Sequence, residues 1–372
     1  MNRILVIENN ILATNTIRKT FVLSLIQQGY DVMVLTTGSK EEIDYAKSNG
    51  CIITSISSST QNPFTIIRYI LNIRKVIKSY NPDVCLTFTI RPAIWGNLVT
   101  RMLGIPTITN ITGIGPLFSS KKITYKIARM LYKFILKKTD TIFFQNTDDR
   151  DLFIKNNFVH HQNIDLLPGS GVDYEYFAPI KKTVDNDVFV FLFIGRLLKD
   201  KGITEFVAAS KILQQQGVVV KCLVVGSLWN QNLKKNTITQ KDLDEWMADH
   251  LITYIGHSTD VRIQIANADC IVLPSYREGT SNVLLEASSM ERPCITCDTT
   301  GCREIVIHNE TGLLCKVADA EDLAEKMKQM ILLPKEKRQE MGIKARNKVI
   351  KEFDKKIVIQ KYLTALTSIL KK

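Results

Sequence analysis

No stretch of this chain approaches the ~20 consecutive apolar residues of a membrane-spanning helix. Its opening, MNRILVIENN, also lacks the apolar core and small-residue cleavage site of a secretory signal. The sequence therefore reads as cytoplasmic. A disulfide framework is missing too, because the eight cysteines are scattered. Cys85, Cys222 and Cys270 lie inside apolar runs, where a reduced thiol acts as a small hydrophobe. The one CxxC, Cys294 and Cys297, has no second half-site, and residues three apart on a strand point to opposite faces. Neither GxGxxG after the first strand nor GxxxxGK[ST] occurs, which argues against a nicotinamide or flavin dinucleotide site and a P-loop. No zinc-finger or RNA-recognition signature accompanies the net charge of +12, so nucleic acid is not the expected partner. Asp242 and Asp244, in KDLDEW, read as a solvated helix face, and no metal site is expected.

What is present is an ordinary globular composition, 45% hydrophobic and 23% charged, over 372 residues. That length suits about two domains. Strand-like and helix-like segments alternate from RILVIE (3–8) to DTIFFQN, which predicts a parallel sheet covered on both faces. A charged segment without apolar periodicity follows, and a second alternating series starts at VFVFLFIG. The reading is α/β, with two doubly wound Rossmann-like domains facing across a cleft. The N-terminal one spans 1–177, a linker 178–187, the C-terminal one 188–353, and a last helix 354–372 has no assigned docking site. Ligands of such domains bind beyond the carboxyl ends of the strands.

The most informative segment is LPSYREGTSNVLLEASSMERPCITCD. Glu278 lies on the loop leaving a strand, and Glu286, with seven residues between, lies inside the following helix. Thr280 or Ser281 stands at the N-cap, so the helix start, Thr280 to Val283 through Asn282, offers backbone N–H groups to an anion. In FLFIGRLLKDKGI, Gly195 ends a buried strand, and Arg196 and Lys201 bracket the next turn with a planar fork and a mobile charge suited to phosphate oxygens.

These segments resemble the family-4 retaining glycosyltransferases, whose signature is this spaced glutamate pair set before a strand. The resemblance implies the glycosyltransferase-B architecture and a nucleotide-sugar donor. It places Glu286 on the ribose hydroxyls, Glu278 by the transferred sugar, and Arg196 and Lys201 on the diphosphate, whose growing charge the two cations offset without a metal. It implies no cofactor, the nucleotide sugar being a substrate. Front-face attack is the implied course, with a covalent intermediate on Glu278 as the alternative. LLPGSGVDYEYF resembles the family's segment before the domain crossover, where Gly169 and Gly171 permit tight turns and Asp173 caps them. NITGIGPLF, with Thr112, Gly113 and Gly115, resembles a loop of members that build capsule or O-antigen repeats. The chain departs from much of the family in having no histidine there and no glycine pair in the loop Asn9 to Arg18.

The stretch KKITYKIARMLYKFILKK (121–138) carries basic residues throughout and no acid, interleaved with apolar ones, and RYILNIRKVIKSY is similar. Each suits an anionic membrane face, or equally a core helix with a basic exposed side. The resemblance implies a UDP donor, an N-acetylhexosamine in particular, and together with these basic helices it points to a polyprenyl-diphosphate-linked saccharide acceptor. A UDP-N-acetylglucosamine 2-epimerase on the same scaffold is the alternative, and a basic nucleic-acid-binding protein the third reading.

Overall fold

The computed structural model describes residues 1–48, 52–55, 63–118, 123–183, 188–228 and 236–371. Lys121, Lys122 and the end of the expected linker, 184–187, lie outside them. The chain divides into two compact units, one of residues 1–170 with 355–372, the other of 171–354.

The first unit holds β1 (Arg3–Ile7), β2 (Asp31–Thr36), β3 (Ile52–Ser55), β4 (Val84–Phe88), β5 (Thr107–Ile111), β6 (Thr141–Phe144) and β7 (Ile164–Leu166). They pair in the order β3-β2-β1-β4-β5-β6-β7, and every pairing is parallel. Alternation along β1 shows why it is apolar from Ile4 to Ile7. Ile4 and Val6 enter one core with Phe21, Val22 and Leu25, while Leu5 and Ile7 enter another with Tyr69, Ile73 and Ile77. The final helix, Lys355–Leu370, belongs to this unit: Val358, Tyr362 and Leu366 are buried in the core of Ile4 and Val6. Its docking is fixed by chemistry as well as area, since Asn110 Nδ2 donates to the buried Tyr362 hydroxyl at 2.8 Å.

The second unit holds β8 (Phe189–Ile194), β9 (Val220–Val225), β10 (Thr253–Gly256), β11 (Cys270–Leu273), β12 (Cys294–Cys297) and β13 (Gly312–Cys315), in the order β10-β9-β8-β11-β12-β13. Its pairings are parallel as well. The unit begins at Gly171, ahead of the expected boundary after 177, because Phe177 and Ile180 pack on its core and Val172 N donates to Phe353 O at 2.9 Å. Cys294 and Cys297 do turn apart on β12: the first thiol lies near Ser288, the second 3.7 Å from the thiol of Cys315.

Candidate functional site

In the second sheet, strand order reverses between β8 and β11. Such a switch point leaves a crevice at the carboxyl ends of the two strands. The loops leaving β8, β11 and β12 meet there, and they carry the residues singled out from the sequence.

Backbone contacts build the crevice before any side chain enters it. After β8 the chain is held to β9 by Gly195 N to Val225 O (3.0 Å) and Leu197 N to Ser227 O (3.1 Å). Leu197 and Leu198 are buried, so Arg196 is left on the outer side, exposed. A 3-10 turn, Lys199–Lys201, ends at Gly202 with φ of 77°. A Cβ on Gly202 would stand 2.1 Å from Pro274 O, so only glycine lets this turn press against the loop leaving β11. Tyr276 N to Asp200 O (2.9 Å) and Ser275 Oγ to Asp200 O (3.2 Å) join the same two loops.

The third loop closes on Glu278 from the other side. Glu278 N donates to Thr300 O and Ser281 N to Gly301 O, each at 3.0 Å. Gly301, at φ of 81°, would place a Cβ 2.6 Å from the carbonyl carbon and oxygen of Glu278. Within this frame Lys201 Nζ meets Glu278 Oε1 at 2.5 Å, the two side chains being only 18% and 14% exposed. The pair is thus half-buried and its backbone supports are fixed on both sides.

Ser281, and not Thr280, is the N-cap of the helix Asn282–Ser289, its Oγ accepting from Leu284 N at 3.4 Å. The Thr280 hydroxyl turns to Gly279 O. Leu284, Leu285 and Ala287 are buried and Val283 packs partly against the core, which leaves Asn282 and Glu286 half-buried on the remaining face.

Several contributors were not legible in the sequence. Tyr276 donates its hydroxyl to Glu205 Oε1 at 2.7 Å, and burial, reinforced by that carboxylate, pushes the phenol's pKa up. It is a neutral donor throughout the ordinary pH range. Gly226 is the glycine that the close approach of β8 and β9 demands, since its Cβ would fall 1.7 Å from Gly195 O. Gly195 itself would meet only ordinary contacts, the nearest being the Phe193 ring at 3.6 Å.

The remaining candidates lie elsewhere. Asp173 Oδ1 accepts from Tyr176 N at 3.0 Å, capping the turn at the start of the second unit, and Gly169 and Gly171 have φ of 64° and 66°. Thr112, Gly113 and Gly115 follow β5 in the first unit, in a loop anchored by buried Ile114 and Leu117. Asp242 forms a reciprocal capping box with Thr239, and Asp244 accepts from Gln240, so both serve the helix Gln240–Ala248. The first unit adds a group the sequence did not reveal. Glu8, just past β1, is 1% exposed and paired with Arg18 at 2.9 Å, and the guanidinium lies over the Phe88 ring at 4.2 Å. The pair stands at that sheet's own reversal point, between β1 and β4, and brackets the loop where the family's glycine pair is lacking.

Comparison with known proteins gives two family matches. Residues 177–348 match the glycosyl transferases group 1 model, and residues 4–146 the glycosyl transferase 4-like model. A capsular polysaccharide biosynthesis glycosyltransferase of Staphylococcus aureus, CapM, is 30% identical over 228 residues, which span 59% of the chain and 59% of that relative. The N,N'-diacetylbacillosaminyl-diphospho-undecaprenol alpha-1,3-N-acetylgalactosaminyltransferase of Campylobacter jejuni is 25% identical over 336 residues, 86% of each protein. Among solved structures, Anabaena HepE in complex with UDP-glucose superposes with a TM-score of 0.80 at 16% identity, covering 99% of the chain and 100% of that structure. The last likeness establishes the two-domain glycosyltransferase-B fold.

Proposed function

We propose that this chain, which belongs to the glycosyltransferases pairing a 4-like N-terminal half with a group 1 C-terminal half, moves a hexose, an N-acetylhexosamine in particular, from a UDP-sugar to a polyprenyl-diphosphate-linked saccharide. The observation that carries the reading is the contact of Lys201 with Glu278 at the reversal point of the second sheet, on the loop that also bears Arg196 and next to the helix that bears Glu286. Arg196 and Lys201 face the diphosphate, where charge grows as the glycosidic bond breaks, and the two cations take the place a metal ion would otherwise fill. Glu286 holds the ribose hydroxyls. The acceptor hydroxyl enters on the face the diphosphate leaves, gives its proton to the departing phosphate, and the linkage keeps its α configuration. Both curated relatives are transferases by name, which favours transfer over the epimerase alternative.

Nucleotide-dependent thermal stabilisation in EDTA tests the donor site. UDP or a UDP-sugar at about 100 times Kd should add roughly 2.7 kcal/mol, a shift of about 5 °C or more for a domain of this size. Glu286→Ala should lose most of it, since a charged hydrogen bond is worth about 1.5–3 kcal/mol. Stabilisation that appears only when magnesium is restored would refute the metal-free site, and equal shifts in the mutant would refute the role of Glu286.

The lipid-linked acceptor motivates a second part of the proposal, a peripheral seat on an anionic membrane at the cytoplasmic face. Among the described residues no helix is long and apolar enough to cross a bilayer. The helix Ile123–Ile135 instead exposes Ile123 (66%), Ile127 (46%), Met130 (65%) and Phe134 (62%) along one face, while Tyr132 and Ile135 are buried behind it. Lys126 and Lys133 flank this ridge in solvent, whereas Arg129 turns back to Leu117 O. The helix Pro63–Tyr80 likewise exposes Phe64, Ile67 and Leu71. An apolar ridge with basic flanks suits an anionic interface better than a solvated face. Changing Lys126, Lys133 and Lys137 to Gln should weaken binding to phosphatidylglycerol vesicles roughly 100-fold, at about 1 kcal/mol per charge. Unchanged sedimentation with those vesicles would remove the membrane seat from the proposal.

A further inference from the structure

The cation that is to grip the diphosphate has a partner within the chain. Lys201 Nζ is 2.5 Å from Glu278 Oε1, and little of either side chain reaches water. The backbones that carry both groups are closely packed. Gly202 seats the Lys201 turn against Pro274, and Gly301 lets the loop after β12 close over the Glu278 backbone. A half-buried pair on pinned backbones resembles a fixed counter-ion more than a surface pair that salt dissolves.

We infer that Glu278 is an internal anion that competes with the nucleotide diphosphate for Lys201, and so sets the site's preference for sugar-loaded over spent nucleotide. The inference rests on the donor site proposed above and deepens it. When a nucleotide sugar binds, the diphosphate takes Lys201 and Glu278 is released. Glu278 then needs new donors, and the hydroxyls of the transferred sugar are the groups that supply them. After transfer the nucleotide diphosphate remains, carrying more negative charge, but the sugar hydroxyls are gone. Glu278 is left as an unpaired carboxylate facing an anion, and its return to Lys201 opposes retention of the product. The same residue therefore helps the loaded donor stay and the spent nucleotide leave, a difference of affinities made by a repulsive element.

Calorimetric titration of UDP and UDP-N-acetylglucosamine into wild type, Glu278→Gln, Lys201→Met and the double variant tests this. Glu278→Gln keeps the side chain's shape and removes its charge. It should bind UDP about tenfold more tightly than wild type, the scale expected when a close like charge is withdrawn. It should bind the nucleotide sugar no more tightly, so the ratio of the two constants falls. In the Lys201→Met background the gain for UDP should disappear. A folded Glu278→Gln protein that binds UDP no better than wild type overturns the inference, and Glu278→Ser read the same way covers a Gln variant that fails to fold. A gain that persists without Lys201 also overturns it, because it marks general repulsion and not competition for that cation. Wild-type protein that binds neither UDP nor the sugar nucleotide would instead sink the donor-site reading itself.

Discussion

Arg196→Ala is expected to lower kcat about 100- to 1,000-fold, the usual consequence of removing one fixed donor from the place where a leaving group gathers charge. The structure explains why the effect should fall chiefly on chemistry. The residue's own strand end is pinned through Gly195 N and Leu197 N, and its neighbours Leu197 and Leu198 are buried while its own side chain is exposed. Loss of an exposed charged contact ordinarily costs no more than about 1 kcal/mol, well below the effect expected on the rate. Ground-state binding of UDP should weaken by less than the rate does, because the charge on the diphosphate is largest in the transition state. Arg196→Lys should restore part of the rate, since a point charge replaces the fork without its geometry. Initial rates with a lipid-linked acceptor, together with melting curves, separate these effects. A kcat within tenfold of wild type would show that Arg196 does not carry the leaving group's charge.

The alternation of apolar runs with helical periods made both sheets legible, because a parallel strand buried on both faces must be apolar at nearly every position. The local signatures of the candidate site were legible for a similar reason. Glu278, Ser281 and Glu286 belong to one strand-loop-helix unit, and Gly195, Arg196 and Lys201 to another, so spacing alone indicates which residues share a loop. Contacts between distant segments left no such trace. Gly226 is required by the Gly195 carbonyl, Gly301 by the backbone of Glu278, and the Tyr276 hydroxyl is held by Glu205. In each case the partner lies on another loop, and only the strand order brings the two together. The last helix is a similar case. Its apolar spacing indicates that it docks, but the identity of its host depends on Asn110 and Phe143 of the first unit meeting Tyr362.

Glu8→Ala is expected to cost about 3–5 kcal/mol, the penalty for leaving one member of a buried ion pair alone. Arg18, with 8% of its side chain exposed, would keep its charge over the Phe88 ring after losing the Glu8 carboxylate. Replacing both residues by Met should recover most of the loss, because two apolar side chains of similar volume neither strand a charge nor open a cavity. Urea unfolding, followed by a signal confined to the first unit, distinguishes the single from the double variants. If each single change cost under about 1 kcal/mol, the pair would be no more than a surface contact. The pH dependence gives a separate test. Burial raises the pKa of Glu8 above its ordinary 4.5, and the attraction of Arg18 and the hydrogen bond from Asn9 N offset only part of that rise. The native state thus holds the proton more tightly than the unfolded chain does. This group's contribution is fully present below about 4.5 and declines as pH rises through the raised folded value. In Glu8→Gln the component should vanish, so the difference in stability between wild type and Glu8→Gln should shift toward the mutant as pH rises across that window. A difference that moves the other way would mean that Arg18 outweighs burial and draws the Glu8 pKa below its ordinary value.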